Sequence, residues 1–279
     1  MSAPNFTRPG FSAGLRWLPT AAELTFSAFG PLAGLAALWL LVSLIAVIPV
    51  VGQLAMMLIT PLLTAGAIAA FAQVASGRRP APTMLFAAWG RPDLRKRLLA
   101  LGAFGVLGTL LALLVLSSWL SSQVTVEQIQ AAQQTPEAMA EMLEGISLGP
   151  LPLVAAGIMA VVMAAMYFAI PLVMFHDIGT ASALATSLRA VIANWSGFLG
   201  FGLVLILMIV AVGFVFLIVT LTLGLAMGSA GQMIAQVLFM LAAMLIQVLM
   251  AGSQWVAFRA VFGSPGGDDE QDSENQLLA

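Results

Sequence analysis

The chain has 279 residues, of which 61% are hydrophobic and only 8% are charged, and its formal net charge is −2. About a quarter of the residues of a soluble domain are charged, so this composition excludes an ordinary water-soluble fold and indicates a membrane bundle. There is no cysteine and one histidine, His176, which excludes disulfides, thiolate chemistry and multi-histidine metal sites. No basic stretch alternates with stacking aromatic residues, so nucleic acid is not an expected partner.

The first 30 residues carry charges among apolar residues and lack the short charged region and apolar run of a cleavable signal. Residues 1–19 are rich in proline and glycine, which favours irregular structure. Thr20 and Glu23 have the spacing of a capping box, which predicts a short helix that begins at Thr20. We expect residues 1–30 to form a cytoplasmic, interfacial segment that leads into the first span.

A helix needs about 20 apolar residues to cross a bilayer, and six stretches of the chain approach or exceed this length. They are residues 32–48, 53–74, 98–119, 151–175, 198–223 and 231–258. Pro61 and Pro171 lie within the second and the fourth. The predicted fold is an all-α polytopic transmembrane helix bundle of about six spans with short interfacial amphipathic helices, and residues 31–262 form its membrane domain.

The charges predict one orientation in the membrane. Six of the ten basic residues lie between the second and third spans, and cytoplasmic loops are enriched in Lys and Arg. This loop is therefore expected in the cytoplasm, and six spans then place both termini there. The loop between the third and fourth spans carries acids and no base, and it is expected outside. Residues 263–279 hold several acids and are predicted to form a disordered cytoplasmic tail.

Three loops have patterns typical of short surface helices. Thr135, Pro136 and Glu137 form a favourable helix start in the outer loop, and Phe86 with Trp89 precedes the basic run. Between the fourth and fifth spans, one face of a predicted helix is apolar and is expected to lie on the bilayer. That face comprises Leu184, Leu188, Ile192 and Trp195, and the other faces carry Thr186, Ser187, Ala190 and Asn194.

Two sets of residues are candidates for binding. The first either contacts anionic lipid head groups or only determines topology, and it comprises Arg91, Arg95, Lys96 and Arg97. The second falls on one face of the sixth span and forms either a polar pathway or interhelical hydrogen bonds. It comprises Gln236, Gln247 and Gln254.

Small residues predict close helix packing or self-association. The glycines concerned are Gly102, Gly105 and Gly108 in the third span, Gly30 and Gly34 near the first, and Gly197, Gly200 and Gly202 near the fifth.

His176 and Asp177 are adjacent, a pairing that suits general acid–base chemistry. No nucleophile, second base or metal-ligand set accompanies them, so an interfacial polar pair that ends the fourth span is the favoured interpretation. We therefore predict no catalytic, metal or cofactor-binding residue, and a protein that is not an enzyme.

Several short motifs lie along residues 10–262. They are Ile48-Pro-Val-Val-Gly52, Pro61 with Ala65-Gly66, Pro171 with Phe175, and Ala183-Leu-Ala-Thr-Ser187 through Asn194-Trp195. On these residues the chain resembles a family of uncharacterised bacterial six-span membrane proteins and, more distantly, the membrane domain fused to some glycerophosphodiester phosphodiesterases. The resemblance implies a bacterial inner-membrane protein with no assigned activity. No catalytic domain accompanies the motifs, so phosphodiesterase activity is not implied.

Two functions remain open from the sequence. One is a non-enzymatic scaffold or accessory membrane component, and the other is a carrier for a neutral or lipid-like molecule. No charged residue lies deep in any predicted span, which argues against ion-coupled transport. The expected partners are the lipid bilayer, anionic lipids at the cytoplasmic face, and a membrane protein or a second copy of the chain.

Overall fold

The computed structural model describes residues 6–145, 147 and 149–263, and every regular element among them is a helix. In chain order the α-helices are α1 (Phe11–Ser27), α2 (Phe29–Ser43), α3 (Val51–Ala75), α4 (Pro92–Gln123), α5 (Val126–Ala132), α6 (Pro136–Glu144), α7 (Pro150–Tyr167), α8 (Ala169–Phe175), α9 (Thr180–Ala193), α10 (Trp195–Met227) and α11 (Ser229–Phe262). Turns of 3-10 helix cover Leu44–Val47 and Pro82–Phe86.

Six helical segments of the described chain are long and apolar enough to cross a membrane. They are α2 with its 3-10 turn, α3, α4, α7 with α8, α10 and α11. The predicted all-α polytopic bundle is confirmed. The helix α4 begins six residues before the predicted span, so Arg95, Lys96 and Arg97 lie on its first turns rather than in a loop.

The two ends of the bundle differ in charge. The connection from α3 to α4 and the start of α4 carry exposed bases at one end, which we call the basic end. Their members are Arg78, Arg79, Arg91, Arg95 and Lys96. The helices α5 and α6 lie at the opposite, acidic end, with exposed Glu127, Glu137, Glu141 and Glu144. Alternation of the spans puts α1, α9 and the end of α11 at the basic end.

The hydrophobic core lies toward the basic end. Trp17, Phe71, Phe168 and Phe258 are among the largest side chains with almost no exposed surface, and they come from α1, α3, the α7–α8 connection and α11. Burial then falls toward the acidic end. In α10, which is described in full, the buried residues are confined to the first two turns, ending at Phe201. The bundle is therefore packed at one end and open along the rest of its length, where apolar side chains are exposed as in lipid-facing helices.

Glycines allow the closest helix contacts. A Cβ on Gly14 of α1 would overlap the carbonyl oxygen of Gly197 in α10, and a Cβ on Gly102 of α4 would overlap the carbonyl oxygen of Leu58 in α3. Small residues let membrane helices approach in this way. The packing role predicted for Gly197 and Gly102 is seen at these two contacts, whereas Gly30 faces open space.

The first helix differs from its prediction. It begins at Phe11 with Gly10 as N-cap, so the helix start predicted at Thr20 is wrong. Buried positions recur at helical spacing along it and pack on α10 and α11, while Pro19 lies on the exposed side. That tertiary contact extends the helix through the proline-containing stretch that local sequence had indicated to be irregular. These buried positions are Gly14, Trp17, Leu18, Ala21 and Thr25.

Two other surface helices follow the sequence. The helix α6 begins where predicted, because the Thr135 hydroxyl accepts the Ala138 N–H at 3.3 Å. The helix α9 buries its small polar face, including Ser187, and exposes part of its predicted apolar face, with Ile192 64% exposed. Leu184 of that face is half-buried and packs against the core, and Trp195, also 64% exposed, is the first residue of α10. The predicted acidic tail falls on residues 264–279, which lie outside the described residues.

Candidate functional site

The span formed by α7 and α8 is broken, and buried polar side chains, including Ser187 and Gln254, meet at the break. Pro171 has no backbone N–H, so the carbonyl of Tyr167, four residues earlier, loses its helical partner. Gln254 of α11 donates its Nε2–H to that carbonyl. A buried amide from a neighbouring helix thus replaces the hydrogen bond that the proline removes.

A second side chain enters the same break. The N–H of Phe168 donates to Ser187 Oγ at 2.9 Å, and Ser187 Oγ donates to the carbonyl of Ala164 at 2.8 Å. The serine hydroxyl is therefore inserted into a helical hydrogen bond of α7, a recognised cause of helix kinks. We call Tyr167, Phe168, Pro171, Ser187 and Gln254 the α7–α8 junction.

Aromatic rings close the junction on the sides of α10 and α11. The rings of Tyr167 and Phe198 lie edge to face with centroids 4.9 Å apart, and Phe168 contacts Phe262 at 5.4 Å. The Tyr167 hydroxyl is buried beside Ser253, whose own hydroxyl donates to the carbonyl of Met250. In the junction the side chains of Ser187 and Gln254 hydrogen-bond to the backbone, whereas the Tyr167 hydroxyl is buried without a hydrogen bond to any described residue.

The three predicted glutamines share one face of α11 but have different surroundings. Their spacing of eleven and seven residues corresponds to nearly whole turns, over about 27 Å of helix. Gln254 is buried in the α7–α8 junction, Gln247 is partly buried, and Gln236 is exposed. Within the described residues, Gln254 hydrogen-bonds and neither Gln247 nor Gln236 makes a side-chain hydrogen bond.

The helices α2 and α10 pack against two faces of α11, and Gln247 lies on neither of them. Leu241 and Met244 face a shallow groove against α2, whereas Ala242 and Ile246 face one against α10. At 100° per residue, Gln247 lies on a third face, which continues from the α7–α8 junction toward the acidic end. The structure therefore places one predicted glutamine in a packing role and leaves Gln247 as an amide without a partner on an apolar span.

The predicted anionic-lipid contact divides into two parts. Arg97 forms an ion pair with Asp177 at 2.6 Å and also donates to the Asp177 carbonyl. Arg91, Arg95 and Lys96 are exposed, and in the part of the chain that the structure describes none of them pairs with a carboxylate. These three, together with Arg78 and Arg79, form what we call the basic surface. The contact with anionic lipid predicted for Arg91, Arg95, Lys96 and Arg97 stays a prediction.

His176 and Asp177 connect α8 to its neighbours. The His176 ring packs on Phe258 with centroids 5.8 Å apart, and Asp177 joins α4 through Arg97. Asp177 also has a positive φ of 50°, a conformation that Asp tolerates better than most residues. Among the described residues, no group of three or more His, Cys, Asp or Glu is placed to hold a metal ion. The geometry of the pair is that of a connection between helices.

Sequence reasoning identified Gln254 and the basic residues but missed the inserted hydroxyl. The sequence places Ser187 only among the residues on the other faces of α9, because the break at Phe168 lies about twenty residues earlier in the chain. Pro171 signals an orphaned carbonyl at Tyr167, but it does not mark the Phe168 N–H and the Ala164 carbonyl that Ser187 bridges.

Comparison with protein-family models, with curated proteins and with solved structures finds no match to this chain. The resemblance to six-span bacterial membrane proteins and to the phosphodiesterase membrane domains therefore stays a prediction.

Proposed function

We propose that this chain is a non-enzymatic integral protein of the bacterial inner membrane that acts as a scaffold or accessory component. Its function on this proposal is to hold another membrane helix against the open face of α11. The packed basic end supplies a rigid base, and the open portion supplies lateral contact surface.

The observation that carries this proposal is the amide of Gln247. It lies 12 residues before Arg259, about 18 Å along the helix, in the apolar part of α11. A polar group left without a hydrogen bond in an apolar environment costs about 1–3 kcal/mol, and hydrocarbon offers no water to satisfy it. An amide from another helix or a second copy of this chain would satisfy it, as polar residues do between membrane helices.

A second candidate is a carrier for a neutral or lipid-like molecule. The observation that favours it is the broken span at the α7–α8 junction, because transporters often build binding sites beside discontinuous helices. On this alternative the ligand, rather than a protein, supplies the hydrogen bond to Gln247.

Extraction in native lipid discs, followed by mass spectrometry of co-purifying protein and lipid, tests both functions. The test variant is Gln247→Leu, and the control is Gln53→Leu, which alters an exposed glutamine at the start of α3. Scaffolding predicts a stoichiometric protein partner in the wild type and the control, with about tenfold less in Gln247→Leu for each ~1.4 kcal/mol lost. The unfolding midpoint of Gln247→Leu should not fall, since no internal hydrogen bond is removed.

The outcomes separate the candidates. A lipid or metabolite that depends on Gln247, with no protein partner, would favour the carrier. Equal recovery of every component from wild type and Gln247→Leu would contradict both, because the amide would then have no external partner.

A further inference from the structure

The basic surface lacks a counter-charge within the described part of the chain. Asp93 is exposed beside it, but the ion pair at this end of α4 joins Arg97 to Asp177. Arg95 and Lys96 also lie in the first two turns of α4, where the positive end of the helix dipole disfavours cations. An anionic occupant would relieve both the mutual repulsion and the unfavourable dipole interaction.

The chain carries a segment of matching charge. Residues 264–279 contain no Lys or Arg, and five acids lie close together in them. The acids are Asp268, Asp269, Glu270, Asp272 and Glu274. The five bases of the basic surface thus have an equal number of potential partners in the same chain.

The segment starts near the basic surface. Phe262, the last residue of α11, has its ring centroid 6.3 Å from that of His176, and the next residue, Asp177, forms the 2.6 Å ion pair with Arg97. The end of α11 is therefore connected to the first turns of α4 through the Phe262–His176 ring contact and the Asp177–Arg97 ion pair. Five to eleven residues separate Gly263 from the five acids, and a linker of that length has an end-to-end distance of about 12–20 Å.

We propose that residues 268–274 dock on the basic surface of the same chain. The contact is electrostatic and reversible. It does not depend on the membrane orientation or on the partner of Gln247, because the segment follows the end of α11, which lies at the basic end of the bundle.

Spin-label distance measurement on the full chain tests this docking. The protein has no cysteine, so Ser273→Cys in the acidic segment and Ala87→Cys between Arg79 and Arg91 can be labelled without first removing native cysteines. In discs of zwitterionic lipid at about 0.01 M salt we expect a narrow, short distance distribution. At about 1 M salt the Debye length falls from about 30 Å to about 3 Å, and the short population should fall several-fold.

Charge variants identify the contacts. Neutralising the acids (Asp268→Asn, Asp269→Asn, Glu270→Gln, Asp272→Asn and Glu274→Gln) should lengthen and broaden the distribution, and so should Arg91→Gln with Arg95→Gln and Lys96→Gln. The matched control is Arg16→Gln with Arg189→Gln, since these are exposed bases on α1 and α9 at the same end. The control should retain the short population.

Two outcomes would overturn the proposal. The first is an unchanged distribution after the acids are neutralised, and the second is loss of the short distance in the control but not in the α4 variant.

Discussion

At the scale of single residues, buried polar side chains in this bundle complete its backbone. Gln254 supplies a donor to the carbonyl that Pro171 leaves without a partner, and Ser187 bridges Phe168 and Ala164. Each lies on a different helix from the break that it serves. The break in the fourth span is therefore stable because α9 and α11 both contribute to it.

Replacing Gln254 with Leu should destabilise the protein. The substitution removes the donor to the Tyr167 carbonyl, and interhelical hydrogen bonds in membranes contribute about 1–2 kcal/mol. We expect a lower free energy of unfolding in mixed micelles, measured by titration with a denaturing detergent.

The matched control for Gln254→Leu is Gln236→Leu, which lies on the same face of α11 but is exposed and makes no side-chain hydrogen bond in the described chain. Its unfolding free energy should equal that of the wild type. Equal stability of both variants would show that the Gln254 amide contributes nothing to the α7–α8 junction.

At the scale of helices, the sequence predicts some features well and others poorly. The six spans follow from uninterrupted apolar length, which is a local property. The start of α1 cannot be predicted from a local property. Contacts of Trp17 and Leu18 with α10 and α11 determine it, rather than the capping pattern at Thr20.

The candidate site also has features that the sequence predicts and features that it does not. The shared face of Gln236, Gln247 and Gln254 follows from spacing alone. Their differing partners depend on which helices approach α11, and this information is not carried by the spacing. Arg97 likewise resembles Arg95 in sequence, but only Arg97 lies opposite Asp177.

Gly14→Ala should separate α1 from α10. The added Cβ meets the backbone carbonyl of Gly197, which cannot rotate away as a side chain would, and overpacking typically costs about 1–3 kcal/mol. We expect a lower thermal unfolding midpoint in detergent. Gly30→Ala is the control, because nothing lies within 4 Å of its added Cβ. If Gly14→Ala unfolds at the wild-type temperature, the close contact between α1 and α10 is absent in the protein.

At the scale of the whole molecule, charge and packing vary along the same axis. The buried core and the exposed bases lie toward one end, and the exposed acids of α5 and α6 lie at the other. The bases favour retention of their end in the cytoplasm, since translocating Lys and Arg is disfavoured. If the basic end is cytoplasmic, as these charges predict, the open ends of the spans lie in the outer half of the bilayer, where lateral partners would meet Gln247.

Single-cysteine labelling in intact bacteria tests this orientation. Ser76→Cys places an exposed thiol at the basic end, and Glu137→Cys places one on α6 at the acidic end. A maleimide that penetrates the outer but not the inner membrane should label only the Glu137→Cys variant in intact cells, and both after the inner membrane is permeabilised. Adding Arg78→Gln, Arg79→Gln and Arg91→Gln to the Ser76→Cys variant should raise its labelled fraction, because these charges oppose inversion. Labelling of Ser76→Cys in intact cells without these changes would instead place the basic end outside, and the Lys and Arg distribution would not determine the topology.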